Sequence, residues 1–147
     1  METLRIIPAQ LCDVHILSQM NKELIEDEKN DNQMTINELN NRMKDFLDND
    51  WKATLLVLGD HVVGYALYQE REDVSNKKKK TFHIRQYYIS RKYRRRGLGK
   101  QGIDLLRNEL FQDSTISIDV LESNPNGRSF WEELGFKTYY TNMKFKS

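Results

Sequence analysis

Cysteine is nearly missing from this sequence. Cys12 is the only one among 147 residues, so no disulfide can form within the chain. Its expected role is a small apolar packing residue on the first helix, ahead of any role as a nucleophile. No basic-then-apolar leader opens the sequence, and no apolar run is long enough to span a bilayer. Those absences fit a cytoplasmic protein with no membrane partner. No internal repeat or low-complexity tract occurs either, so residues 1–147 are expected to form a single domain of ordinary size. A domain this long buries about 68–70% of its unfolded surface, enough for a core without staples. Hydrophobic residues make up 38% and charged residues 31%, and the apolar ones fall in periodic clusters, which favours a globule over a disordered chain.

Net charge is also small, at +1, but it is unevenly spread. Residues 1–50 hold 5 Lys/Arg against 11 Asp/Glu, while residues 77–107 hold 12 Lys/Arg against Asp104 alone. Such a division suggests two ligand surfaces, one for anions and one for cations.

What is present reads as alternating elements. Thr3 to Ile7 is a short strand stopped by Pro8, and Leu11, Val14, Leu17, Met20 and Leu24 recur at helical spacing. Thr35 with Glu38 is a capping-box signature, and Ile36, Leu39, Met43, Phe46 and Leu47 then share one face of a second helix ending near Asp48. Trp51 to Leu58 and His61 to Gln69 are strands joined by Gly59-Asp60. A polar loop from Glu70 to Lys80 follows, with Lys77 to Lys80 as a solvated hairpin tip, and Thr81 to Ile89 is the next strand. A third helix is expected from Leu98 to about Phe111, with Leu98, Ile103, Leu106 and Leu110 facing inward. Alternation marks a strand within Ser114–Leu121. Asn126 to Leu134 reads as a short helix capped by Asn126 and ended by Gly135, and Phe136 to Phe145 as a closing strand. The order β-α-α-β-β-β-α-β-α-β predicts an α/β (α+β) fold, a mixed sheet with helices on its faces.

Arg94-Arg95-Arg96-Gly97-Leu98-Gly99-Lys100 lies between a strand and a helix. Glycines there permit a tight turn and a close backbone approach. The first helical N–H groups lack internal partners and sit at the positive end of the helix dipole, so the segment is suited to a pyrophosphate. Gly97, Gly99 and Gly102 have the spacing of the dinucleotide fingerprint, but the unit comes late, behind an antiparallel hairpin, with too little chain after it for a second half. A P-loop is excluded because no Gly-Lys-Ser/Thr occurs.

Tyr88-Ile89-Ser90 followed by Tyr93-Arg94-Arg95-Arg96-Gly97-Leu98-Gly99 resembles the coenzyme A motif of the GNAT superfamily (Gcn-related N-acetyltransferases), whose core is Arg/Gln-x-x-Gly-x-Gly/Ala. Asn124, Gly127, Phe130-Trp131 and Leu134-Gly135-Phe136 resemble that family's Asn-x-x-Ala-x-x-Phe-Tyr-x-x-x-Gly-Phe stretch. The element order agrees over essentially the whole chain. The resemblance implies a single-domain, largely antiparallel sheet flanked by helices, and transfer of an acetyl group from acetyl-CoA to a primary amine by direct attack in a ternary complex. It implies that the backbone N–H groups of Arg95, Arg96, Gly97, Leu98, Gly99 and Lys100 bind the pyrophosphate, with Arg94 opening the loop. It also implies that Tyr87, Tyr88, Ile89 and Ser90 bond the pantetheine arm, splayed from strand Ile116–Leu121, with Asn124 contacting that arm and Trp131 near the thiol end. A homodimer is a family-level expectation; no metal and no nucleic acid are expected.

An attacking amine must first lose a proton, since a lysine-like amine has a pKa of about 10.4. His83, with Arg85 and Tyr87 at the same strand parity, is one candidate base, and Glu28 is another. The resemblance assigns the oxyanion donor to a backbone N–H near Tyr88 or Ile89. Glu26, Glu28 and Arg85 are the candidate substrate contacts, and the acidic first third points toward a cationic small molecule. Polyamine, aminoglycoside, amino-acid and protein amines all stay open. Trp131 stands where many relatives carry a proton-donating tyrosine, and an indole cannot supply that proton. Either Tyr87, Tyr88, Tyr139 or Tyr140 takes its place, or the thiolate leaves unaided. Two other readings remain: a GNAT-like protein that binds acyl-CoA without turnover, and a nucleic-acid-binding module using the basic segment.

Overall fold

The computed structural model describes residues 2–73 and 79–147. Strand β1 (Leu4–Pro8) leads into helices α1 (Val14–Asp27) and α2 (Ile36–Asp48). Strands β2 (Lys52–Leu58), β3 (His61–Glu72) and β4 (Lys80–Ile89) follow. Helix α3 (Leu98–Glu109), strand β5 (Thr115–Ile118) and helix α4 (Pro125–Glu133) complete the order. The five strands lie in sequence order in one sheet, antiparallel except for β4 and β5, which run parallel. Helix α3 makes the crossover that a parallel pair requires.

Burial on both faces explains the apolar run Leu55 to Leu58 of β2, where Ala53 to Leu58 are all buried. On one face Leu55, Val57, Tyr65, Leu67 and Tyr88 pack under Leu17, Met20 and Leu24 of α1 and Met43 of α2. On the other, Ala66 and Ile84 meet Ile103 and Leu106 of α3, while Leu56 and Val63 meet Leu98. The capping box of α2 forms as expected: Glu38 N–H donates to Thr35 Oγ1 at 3.2 Å and Thr35 N–H to Glu38 Oε1 at 3.0 Å. Among the described residues, no helix is long and apolar enough to cross a membrane.

Several expectations are corrected. Residues 137–147 form no strand, and Tyr139, Met143 and Phe145 are exposed. Alternation alone cannot hold a strand that has no neighbour to bond. Cys12 is exposed in a 3₁₀ turn, Leu11–Asp13, that precedes α1. Leu110 is exposed where an inward position was expected, because α3 ends at Glu109 and the chain turns Phe111 inward. Phe111 stacks on Phe82 at 4.5 Å and meets Tyr68 edge-on at 4.9 Å. Strand β3 runs on to Glu72, and Lys77 and Lys78 of the expected hairpin tip lie outside the described residues.

A β-bulge corrects the parity of β4. Leu67 pairs with Gln86 but Tyr68 with Ile84, so Arg85 is an extra residue on β4. His83 and Arg85 therefore share the α2 face, whereas Tyr87 points to α3 and donates a hydrogen bond to the Gly99 carbonyl at 2.6 Å.

Gly64 lies opposite Ile89 at the end of β4, and a Cβ there would overlap the Tyr88 carbonyl oxygen. Backbone cannot yield as a flexible side chain can. Gly64→Ala is expected to cost about 1–3 kcal/mol of stability, read as a lower denaturant midpoint at unchanged slope.

Candidate active site

Pairing between β4 and β5 ends at Ile84–Ile118, five residues before β4 itself ends. The rest of β4 bonds β3 on one side only; Ser90 N–H, for instance, donates to Val63 O at 2.7 Å. By strand alternation the amides of Tyr87 and Ile89 point to the open side. Of the two amides expected near an oxyanion, that of Ile89 has this orientation. The opening is a cavity of about 650 Å³, walled by β4, the Arg94–Lys100 loop, Asp119 beyond β5, the start of α4 and the end of α1. A slightly larger hollow of about 700 Å³ lies across β1, β2 and the end of α3, but it holds none of the motif residues.

The loop has the shape its glycines suggested. Arg95 and Gly97 adopt left-handed φ angles of 63° and 74°, and α3 begins at Leu98 with Gly97 as its N-cap. The first helical bond runs from Gln101 N–H to Gly97 O at 3.1 Å. The amides of Leu98, Gly99 and Lys100 are thus left at the positive end of the helix. Only Gly97 serves the turn itself: a Cβ on Gly99 would press on the Phe130 ring, and one on Gly102 would overlap the Tyr87 hydroxyl. Those two glycines permit close packing between α3, β4 and α4. A multiply phosphorylated, pantetheine-bearing ligand such as acetyl-CoA fits this combination of open strand edge and amide-lined turn.

Arg94 is committed elsewhere. Its Nε donates to Ile89 O at 2.8 Å, and its Nη2 pairs with Asp27. Arg91 pairs with Glu26 at 3.1 Å and Asp27 at 3.0 Å. Acidic groups at the C-terminal end of α1 oppose the helix dipole, and these two guanidinium groups compensate them. Arg95, Arg96 and Lys100 are exposed and make no ion pair among the described residues.

The candidate bases separate spatially. Glu28 lines the cavity, and burial, with Asp27 beside it, raises its carboxyl above the ordinary carboxylate range. His83 is buried off the cavity wall, with Nδ1 2.8 Å from Ser117 Oγ and Nε2 3.2 Å from Asp119 Oδ2. Burial lowers its pKa below 6.5, against the opposing pull of Asp119. Only Asp119 of this pair reaches the cavity. Glu26, expected at the acceptor, is exposed and held by Arg91.

Tyr139 and Tyr140 stand 95% and 72% exposed and line no part of the cavity. Tyr87 is tied to Gly99. Tyr88 lines the cavity and donates to the Glu23 carboxylate; burial and that carboxylate push its pKa well up, so it stays protonated. Trp131 also lines the cavity, packed on Tyr87 at 5.6 Å and Phe130 at 4.9 Å. The cap of α4 is Asn124, not Asn126: its Oδ1 accepts from Gly127 N–H at 3.1 Å, because Pro125 already occupies the first helical position.

The profile of the acetyltransferase (GNAT) family matches residues 17–136. The chain belongs to the GNAT acetyltransferase family. Its class of activity is accordingly N-acetyl transfer dependent on acetyl-CoA. No curated protein sequence matches this GNAT chain significantly. Among solved structures it resembles a possible acetyltransferase from Clostridium difficile 630, at 19% identity and a TM-score of 0.82, covering 98% of this chain and 97% of that one. It also resembles a ribosomal-protein-alanine N-acetyltransferase from Brucella melitensis biovar Abortus 2308, at 13% identity and 0.77, covering 99% and 100%. A third is a predicted acetyltransferase with acetyl-CoA from Clostridium acetobutylicum, at 18% identity and 0.74, covering 98% and 96%. At such identities the likeness is one of fold.

Three acidic residues in or beside the cavity escaped the sequence reading: Glu23, Asp27 and Asp119. Glu23 and Asp27 stand four apart on α1, a spacing that puts both on one face. Which face met the arginine loop could not be read locally, since the partners lie more than 60 residues away. Asp119 carried a weaker signal, as a polar residue alternating with Ile118 and Val120.

Proposed function

We propose that this acetyltransferase moves the acetyl group of acetyl-CoA to a primary amine by direct attack within a ternary complex. The open β4 edge beside an amide-lined, cation-flanked helix start is the observation that carries this reading. In it, the amides of Arg95 to Lys100 hold the pyrophosphate, with the side chains of Arg95, Arg96 and Lys100 adding charge. The open edge of Tyr87 to Ser90 bonds the pantetheine arm, and Asn124 and Trp131 border its thiol end. Acetyl-CoA supplies an activated acetyl thioester. Glu28 accepts the proton of the incoming ammonium, for which a raised pKa suits it better than an ordinary carboxylate. His83 holds Asp119 at the wall, and because the Tyr88 hydroxyl is already donated to Glu23 the coenzyme A thiolate leaves without a proton from it.

Gly97 tests cofactor binding. Gly97→Glu strains a left-handed position and puts a carboxylate at the anion site, so calorimetry should show acetyl-CoA affinity falling at least about tenfold. Unchanged affinity would refute the loop assignment. Glu28 tests the chemistry. Only its ionised form accepts a proton, so kcat/KM should fall as pH drops through its raised pKa. Glu28→Gln should remove that acid limb and lower kcat by about 10²–10⁴. A variant retaining full activity across pH would show that the base is elsewhere.

A homodimer is the reading that covers the exposed Tyr139, Met143 and Phe145. Sedimentation should then give twice the mass of the 17.5 kDa chain, and a monomer at all concentrations would exclude it.

A further inference from the structure

The acids that suggested a cationic acceptor are largely engaged. Glu26 and Asp27 pair with Arg91, Asp27 also pairs with Arg94, and Glu23 accepts from Tyr88. Glu28 lines the cavity with no cation paired to it among the described residues, and Asp119 faces His83. Apart from Glu28, the unmatched charge among the described residues on this side of the cavity is positive. Arg85, the extra residue of the β4 bulge, is exposed and lines the cavity. Its guanidinium lies over Phe46 at 5.0 Å and Trp51 at 5.6 Å. That stacking uses the face of the guanidinium and leaves its edge donors free. Among the described residues no carboxylate lies within ion-pair distance of Arg85, and none of its donors has a protein acceptor.

A second guanidinium stands behind it. Arg42 Nη2 donates to Asn21 Oδ1 at 2.9 Å, and the group lies 5.5 Å from the same Phe46 ring. Its Nε is buried with no partner. Arg71 adds a third cation, 5.9 Å over Trp51. Clustered like charges without a counter-ion destabilise the free protein and are relieved by a bound anion. Packing alone would account for Arg85 on its rings, but it would not account for three guanidinium groups gathered around two rings, none of them in an ion pair among the described residues.

Resting on the acetyl-transfer reading above, we propose that the acceptor is an amine that also carries a carboxylate, as a free amino acid does, and that Arg85 binds that carboxylate. Apart from Arg95 of the cofactor loop, Arg85 alone among the described residues presents a free planar fork to the cavity, which matches one carboxylate in a bidentate contact. Arg42 contributes positive potential from behind. The cavity then orders the acceptor, with its carboxylate on Arg85 and its nitrogen toward Glu28.

The test uses a panel of free L-amino acids and a matched panel of their carboxamides. Each is titrated by calorimetry into the protein saturated with coenzyme A, and each is assayed for acetyl transfer. At least one acid should exceed its amide by roughly tenfold to a hundredfold in affinity and in kcat/KM. Arg85→Gln should erase that preference mainly through KM, Arg85→Lys should keep part of it, and Arg85→Glu should reverse it. Amides equal to or better than acids, no binding from either panel, or a preference unchanged in Arg85→Gln would overturn the proposal. Acid-selective binding without transfer would uphold it and instead count against the proposed catalysis.

Discussion

Everything at this site follows from a pairing that stops early. Strands β4 and β5 enter in parallel register, and after Ile84 and Ile118 they no longer bond. An unpaired strand edge inside a sheet leaves amides and carbonyls that must find other partners. Part of that demand is met internally, since Ile89 O accepts from Arg94. What remains is an edge that an extended ligand can complete as a neighbouring strand would. The Arg95–Lys100 turn stands at the end of that edge, so one strand edge and one helix start open on the same cavity.

Charge is sorted around the opening by helix direction. Helix α1 ends in acids and α3 begins beside arginines, and the fold brings these two ends together. Arg91 and Arg94 neutralise the acids that the α1 dipole would disfavour, leaving Arg95, Arg96 and Lys100 for an anion. Across the β4 bulge the aromatic pair Phe46 and Trp51 gathers Arg42, Arg71 and Arg85.

Much of the architecture was legible locally. The capping box of α2, the Gly59-Asp60 hairpin and the glycine turn before α3 depend on residues close in sequence, and each appears where its pattern put it. Patterns that needed a distant partner fared worse. The tail beyond Phe136 alternates like a strand yet finds no neighbour, and Leu110 follows the helical period past the point where Phe111 turns into the core. Asn126 looked like a cap, but the proline before it moved the helix start and made Asn124 the cap.

The sequence alone determined the element order as far as α4, the glycine turn before α3 and the family, because helix periodicity, capping chemistry and glycine placement act over a few residues. Only the tertiary structure decided how the charged residues are used. Glu26, Asp27, Arg91 and Arg94 read as two opposed ligand surfaces, yet they bind one another across more than 60 positions. One inserted residue, Arg85, turned Tyr87 away from His83 and brought a guanidinium to the cavity wall. Coulombic pairing and strand register depend on distance in space, and separation along the chain does not fix that distance.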